Sequence, residues 1–361
     1  MKGLIAGLGI LAMSVLGAER NVYVGTYTKP GGSQGIYVMR MDTVTGKLST
    51  PELAAEAKDP SFLAVHPNGK WVFAVTEANG GKVSSYAVNG SKLTLLNTVG
   101  SKGDGPCHLN VDKTGKWLAV ANYSSGSAAI LPIGADGKLG EAAASVQHKG
   151  KSVDPRRQQG PHAHSVNFTK DNKTLFIADL GLDEVKVYGF DAKTGAITEK
   201  AQLESPKGGG PRHLSVGKTG MVYVLNEMGS SVSVFANGYS GKKEPVETVS
   251  ALPEGYKGNT SGAEVLVHPS GTLLFSSNRG HDSISIYRIG GSGTIKLLGQ
   301  EPIGGKTPRG FVLSPDGKFL LAGAQDSNLI QAFRIDVKGG KLVKVGDPVQ
   351  VGSPVCLRFA H

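Results

Sequence analysis

Two sets of chemically able side chains recur along this chain at matching places in a repeated phrase. Just after the residue that opens a phrase come Cys107-His108, His162-Ala163-His164, Arg212-His213 and Arg309. Further along, at the end of a second apolar run, come Glu77, Asn122-Tyr123, Asp179, Glu227, Asn278-Arg279 and Gln325. A carboxylate or a neutral imidazole in such a set can take a proton from water. A guanidinium can hold the oxyanion that forms when that water adds to a carbonyl, or grip a phosphate or carboxylate through its planar fork. Polar groups at this density exceed what the capping of hairpins needs.

Side chains scattered over such a length meet only if the repeat brings them together. The phrase opens at Pro60, Pro106, Pro161, Pro211, Ser261, Pro308 and Pro354, at spacings of 46, 55, 50, 50, 47 and 46 residues. A period in the forties to fifties, built from short apolar runs and tight turns, predicts propeller blades. Within a unit, His108 to Val111 reads as an inner strand, Trp117 to Asn122 as the second and Ser127 to Ile133 as the third, before a weaker outer strand. The tail Pro354 to Phe359 is a lone inner strand, while Asn21 to Tyr27 and Gly35 to Met41 lack one. Each end therefore supplies what the other is missing. The expectation is an all-β chain, a seven-bladed β-propeller over residues 19–361, closed by pairing of the N- and C-terminal strands. In an up-and-down blade the loop into the inner strand and the loop after the second strand open on one face. Both sets of side chains then share one mouth.

Composition agrees. The 52 glycines fall largely in turns such as Pro67-Asn68-Gly69-Lys70 and Pro315-Asp316-Gly317-Lys318 between apolar runs, as hairpins require. Lys and Arg number 39 against 29 Asp and Glu, a formal charge of +10, so the field favours anionic partners. The basic residues are spread over every repeat without a dense run or an aromatic-interleaved stripe, which argues against nucleic acid and for a small anionic substrate. Met1-Lys2, the apolar stretch Gly3 to Leu16 and the small residues Gly17-Ala18 read as a signal peptide over residues 1–18. Export follows, periplasmic or secreted, and nothing later reaches membrane-spanning length. Cys107 and Cys356 are the only cysteines and read as small buried core residues. No His-Glu-x-x-His and no paired Cys-x-x-Cys occurs, so neither metal nor cofactor is expected. A monomer is expected.

Several short motifs carry a resemblance. Tyr23-Val-Gly-Thr-Tyr-Thr28, Gly160-Pro-His-Ala-His164, Gly210-Pro-Arg-His213, Leu225-Asn-Glu227 and Ser277-Asn-Arg-Gly280 occur in order on the sevenfold repeat. From Asn21 onward the chain resembles the seven-bladed lactonase family of bacterial 6-phosphogluconolactonases, with carboxymuconate-lactonising enzymes as relatives. The resemblance implies metal-independent opening of a sugar lactone, with His164, Arg212, Glu227 and Arg279 at the positions of the active site and His162 alongside. The exported N-terminus departs from it, because the phosphogluconolactone step belongs to cytosolic sugar metabolism. Chemistry leaves Glu227 or His164 as the proton acceptor and Arg279 or Arg212 on the oxyanion. His162, His213, Asn278, Asp179, Asn122 and Arg309 are the expected substrate-binding residues for an anionic or polyhydroxylated lactone. Bland readings stand beside these: Glu227 and an arginine as a structural ion pair, His108 and His213 as packing residues, and Asn122, Asp179 and Asn278 as hairpin-closing groups. A non-catalytic exported binding propeller and a muconate-lactonising isomerase are the alternative functions.

Overall fold

The computed structural model describes residues 18–29 and 32–360. The segment read as a signal peptide lies, but for Ala18, outside the described residues. Seven sheets, antiparallel but for one short pairing, make up the fold. The first blade joins the two ends of the chain in the order Pro354–Phe359, Glu19–Thr26, Gly35–Asp42 and Glu52–Glu56, with Val22 opposite Phe359 and Val24 opposite Leu357. The expected closure is therefore present. It puts the last strand on the channel side of the first and leaves the ring no free inner edge.

The other inner strands are Leu63–Val65, Pro106–Val111, Ala163–Phe168, Pro211–Val216, Ser261–Val267 and Pro308–Leu313. Each touches the next around the ring, and Pro354–Phe359 touches both Pro308–Leu313 and Leu63–Val65. One strand was not anticipated: Gly241–Lys243 leaves the fifth blade and pairs in parallel with Ile197–Glu204 of the fourth. The core lies between blades. Phe176 and Ala178 of the fourth pack with Leu214, Val224 and Phe235 of the fifth, all buried. At the far end from the mouth, imidazoles tie neighbours together: His66 Nε2 lies 2.8 Å from Gly115 O, and His268 Nε2 lies 2.7 Å from Gly317 O.

A backbone irregularity at the start of the inner strands positions the chemistry. Pairing with the second strand skips one residue between Pro106 and His108, Ala163 and Ser165, Pro211 and His213, and Pro308 and Gly310. The skipped residues are Cys107, His164, Arg212 and Arg309. A bulged residue has no ladder partner and its side chain is re-aimed, here towards the common axis. The chain reaches this geometry by turning sharply just before the opening proline: Gly105 and Gly210 take φ of +62° and +64°, where a side chain is disfavoured.

Candidate active site

At the other edge of the mouth, strand alternation decides which side chains face it. Asn122, Asp179, Asn226 and Asn278 hold equivalent places, opposite Pro106, Ala163, Pro211 and Gly262. All four are fully buried. Asn122 Nδ2 donates to Ser101 O and Ser127 Oγ, and Asn278 Nδ2 donates to Ala251 O, Ser283 Oγ and Ser285 Oγ. Asp179 accepts from His148 Nδ1 at 2.6 Å and from the N–H groups of His162 and Gly181 at 2.7 and 3.0 Å. Asn122, Asn278 and Asp179 therefore hold the blades and the His162 loop together. Their expected contact with substrate is corrected because all three are fully buried inside the sheets, where the two amide groups and the carboxylate bind neighbouring strands, although Asn122 Oδ1 and Asn278 Oδ1 have no hydrogen-bond partner among the described residues. The residue one place later turns to the mouth: Glu77, Tyr123, Glu227 and Arg279.

Glu227 is the centre of the cluster. Its own N–H donates to Gly210 O at 2.7 Å and its carbonyl accepts from Gly262 N–H at 2.9 Å, which clamps it between the fifth and sixth blades. Oε2 lies 2.9 Å from Arg212 Nε, 3.0 Å from Arg279 Nη2 and 3.8 Å from His164 Nε2. Oε1 lies 3.0 Å from Arg157 Nη2, which also donates to Tyr123 Oη at 2.9 Å. Burial alone would raise the Glu227 carboxyl, but the guanidiniums of Arg279, Arg212 and Arg157 outweigh it and hold it well below the usual carboxylate range. Burial, with Arg309 and Arg279 nearby, brings Arg212 down to about 10.

Arg157 was not anticipated. It sits in the long connection to the fourth blade, on a turn where Asp154 Oδ1 accepts from the N–H groups of Arg156 and Arg157 at 2.8 and 2.9 Å. The spacing of 55 residues between Pro106 and Pro161, the largest in the series, was the available signal.

Behind Arg212 stands a second chain of contacts. Arg212 Nη1 donates to Ala263 O and to His213 Nε2, the latter at 3.2 Å, and His213 Nδ1–H donates to Glu264 Oε1 at 2.8 Å. His213 is thus a prop for Arg212, with both ring nitrogens used, and its expected role against substrate is corrected. His162 is half-buried, stacked on Tyr123 with ring centroids 4.5 Å apart, and its Nδ1 lies 3.0 Å from Tyr123 O. Cys107 Sγ lies 3.3 Å from His164 O and 3.8 Å from His164 Nδ1. The neutral ring can carry its hydrogen on either nitrogen: Nδ1 faces this sulfur, and Nε2 faces Glu227 Oε2 at 3.8 Å. Burial, then Arg212, push His164 well below the ordinary histidine value, so this imidazole is neutral at pH 7.

Three cationic groups keep unused donors. Arg212 Nε, though near Glu227, has its N–H misaligned with that oxygen, and neither it nor Arg279 Nε has a hydrogen-bond partner among the described residues. Arg309 is half-buried with its guanidinium 5.3 Å over the Tyr27 ring, and among the described residues it makes no ion pair. Tyr27 Oη in turn donates to Glu77 Oε2 at 2.9 Å. Among the described residues no three His, Cys, Asp or Glu are placed to hold a metal ion together, and no helix is long and apolar enough to cross a membrane.

A sequence model described as "Lactonase, 7-bladed beta-propeller" matches residues 21–359. A 6-phosphogluconolactonase of Bacillus subtilis is 34% identical over 345 residues, 94% of this chain and 98% of that protein. One of Formosa agariphila is 33% identical over 352 residues, 94% of this chain and 99% of that protein. The solved periplasmic gluconolactonase of Pseudomonas aeruginosa superimposes with a TM-score of 0.89 at 32% identity, covering 95% of this chain and 99% of that one. The bulged strands and the cluster at their mouth are thus set on the scaffold of such proteins, and the chain belongs to the seven-bladed β-propeller lactonase family.

Proposed function

We propose that the mouth hydrolyses an anionic sugar 1,5-lactone, 6-phospho-D-glucono-1,5-lactone being the substrate that the relatives' names favour, by water and without a metal ion. The observation that carries this is the neutral His164 imidazole beside a carboxylate that is itself pinned by three guanidiniums. A carboxylate so engaged is a weak base, whereas the neutral His164, with its hydrogen on Nδ1 towards Cys107, presents Nε2 as the base. His164 takes the proton as water oxygen bonds to the lactone carbonyl carbon. Arg212 and Arg279 hold the oxyanion with their guanidinium groups. Collapse breaks the bond from the carbonyl carbon to the ring oxygen, and the imidazolium returns the proton to that oxygen. Glu227 holds the imidazolium and aligns the two guanidiniums. Arg309 is free to take the substrate's anionic group.

The unpaired Arg309 and the excess of cations favour this over a purely structural ion-pair lock, which would balance its charges. Four guanidiniums, from Arg157, Arg212, Arg279 and Arg309, face two carboxylates, from Glu77 and Glu227, so an anionic substrate supplies the missing charge. The protein acts in this reading as an exported monomer, supported by the N-terminal sequence pattern and by the periplasmic relative. Mass spectrometry of the native protein would find a chain beginning near Ala18 or Glu19; intact Met1 in the cytosol would contradict export. Water-dependent opening across a panel of lactones tests the activity itself. Ligand binding without turnover would favour a binding propeller, and lactonisation of a muconate would favour an isomerase.

A further inference from the structure

We propose that the cavity at the opposite end of the channel is a second binding site, for a small organic anion with an apolar body. The cavity encloses about 660 Å³, in the range of small-molecule sites, and lies away from Glu227, at the far ends of the inner strands. Leu109, Leu214, Leu266 and Val312 give it apolar walls, and His108, His213, Glu264 and Arg358 give it a polar floor.

Its charges are unevenly matched. The two carboxylates that line it are engaged within the fold. Asp112 is fully buried: Oδ1 accepts from the N–H groups of Lys116 and Trp117 at 2.9 and 2.8 Å, and Oδ2 accepts from Asn172 Nδ2 at 2.8 Å. Glu264 Oε1 accepts from His213 Nδ1–H at 2.8 Å and from Val265 N–H at 3.0 Å. The two cations are less closely held, although Arg358 lies near enough to Glu264 to act on its carboxyl. Arg358 donates Nη1 to the carbonyl of Leu357 in its own strand at 2.8 Å and lies 4.5 Å over the Phe62 ring. Among the described residues it forms no ion pair, and neither does the exposed Lys113 at the rim. A guanidinium laid on an aromatic face keeps its edge for a carboxylate or phosphate oxygen. The leucine and valine walls then select an apolar body over a free inorganic ion.

Benzoate and phenyl phosphate are the probes, with benzamide as the neutral counterpart of benzoate. Each is titrated by calorimetry into the purified protein and into the variants R358L, K113E and R279L, the last because the catalytic mouth is also cationic. R358L is expected to weaken the binding that R279L leaves intact at least tenfold. K113E, on an exposed turn, is expected to weaken it severalfold with an unchanged melting curve, which keeps the test decisive if R358L folds poorly. Whichever probe binds with this dependence identifies carboxylate or phosphate as the preferred head. The proposal is overturned if neither anion binds, if R358L and K113E leave binding unchanged, if R279L abolishes it, or if benzamide binds as tightly as benzoate.

Discussion

Replacing Glu227 by Gln keeps the shape of the mouth and removes the one charge on which three guanidiniums and an imidazole converge at 2.9–3.8 Å. Breaking a buried pair by deleting one partner costs about 3–5 kcal/mol, because the remaining charge stays buried without compensation. Both oxyanion-holding arginines lose their anchor in the same step. Loss of a single such donor lowers turnover by about 10²–10³, so a fall of at least about 10² is expected. The pH profile separates this account from one in which Glu227 is the base. Glu227 raises the His164 value against the larger opposing effects of burial and Arg212. Its removal therefore moves the acid limb of the rate to lower pH, and the limb itself persists because it belongs to His164. Proton release from the lactone, followed downward from pH 7.5 and corrected for spontaneous opening, gives the rate and the limb; a melting curve gives the stability. A wild-type rate with wild-type melting would refute the reasoning, and so would a limb that vanishes or moves to higher pH.

His108, His164 and His213 are all held well below the ordinary histidine value, by burial first. Below pH ~6.5 the unfolded chain binds protons at these sites that the folded chain refuses, so each histidine lowers stability as the pH falls. Glu264, raised by burial, acts with the opposite sign; with three histidines against one carboxyl, chemical denaturation should show a net loss of stability from pH ~6.5 to ~5.5, and an unchanged or higher stability would contradict it. Glu264→Leu frees the His213 tautomer and should lower kcat by about tenfold through Arg212, while Glu264→Gln, which keeps an acceptor oxygen, stays near wild type; a wild-type kcat in the leucine variant would show that the prop is idle. Deleting residues from Pro354 onward removes the strand that pairs with Val22 to Thr26 and should give aggregated protein, whereas a soluble truncate with unchanged melting would disprove closure.

The period of the opening residues was enough for the blades. Trp117–Asn122 and Pro354–Phe359 lie where the alternation of apolar residues placed them. Closure was legible because an orphan inner strand at one end matches a missing one at the other. The site was only partly legible. That Arg212 and His164 share a mouth with Glu227 and Arg279 follows from blade topology, but the bulge that aims the first two is a one-residue slip in pairing. Asn122, Asn226 and Asn278 recur at one place in three blades, and that recurrence marks a structural role; the residue after each departs from the repeat and faces the mouth. Reading the pair as one unit hid a distinction that strand alternation makes absolute. Arg157 escaped because a loop outside the repeat carries it, and loops obey no period. Glu264 escaped because its partner His213 looked like a packing residue of its own repeat.

The most direct test of the central claim is the rate at which His164→Asn opens 6-phospho-D-glucono-1,5-lactone, measured beside the wild-type protein at pH 6.5. Asn fills much of the same space and cannot take a proton. The account predicts a wild-type rate well above spontaneous opening and a variant slower by about 10²–10⁴, the span of a lost general base. A variant that turns over at the wild-type rate, or a wild-type protein no faster than buffer, would contradict it.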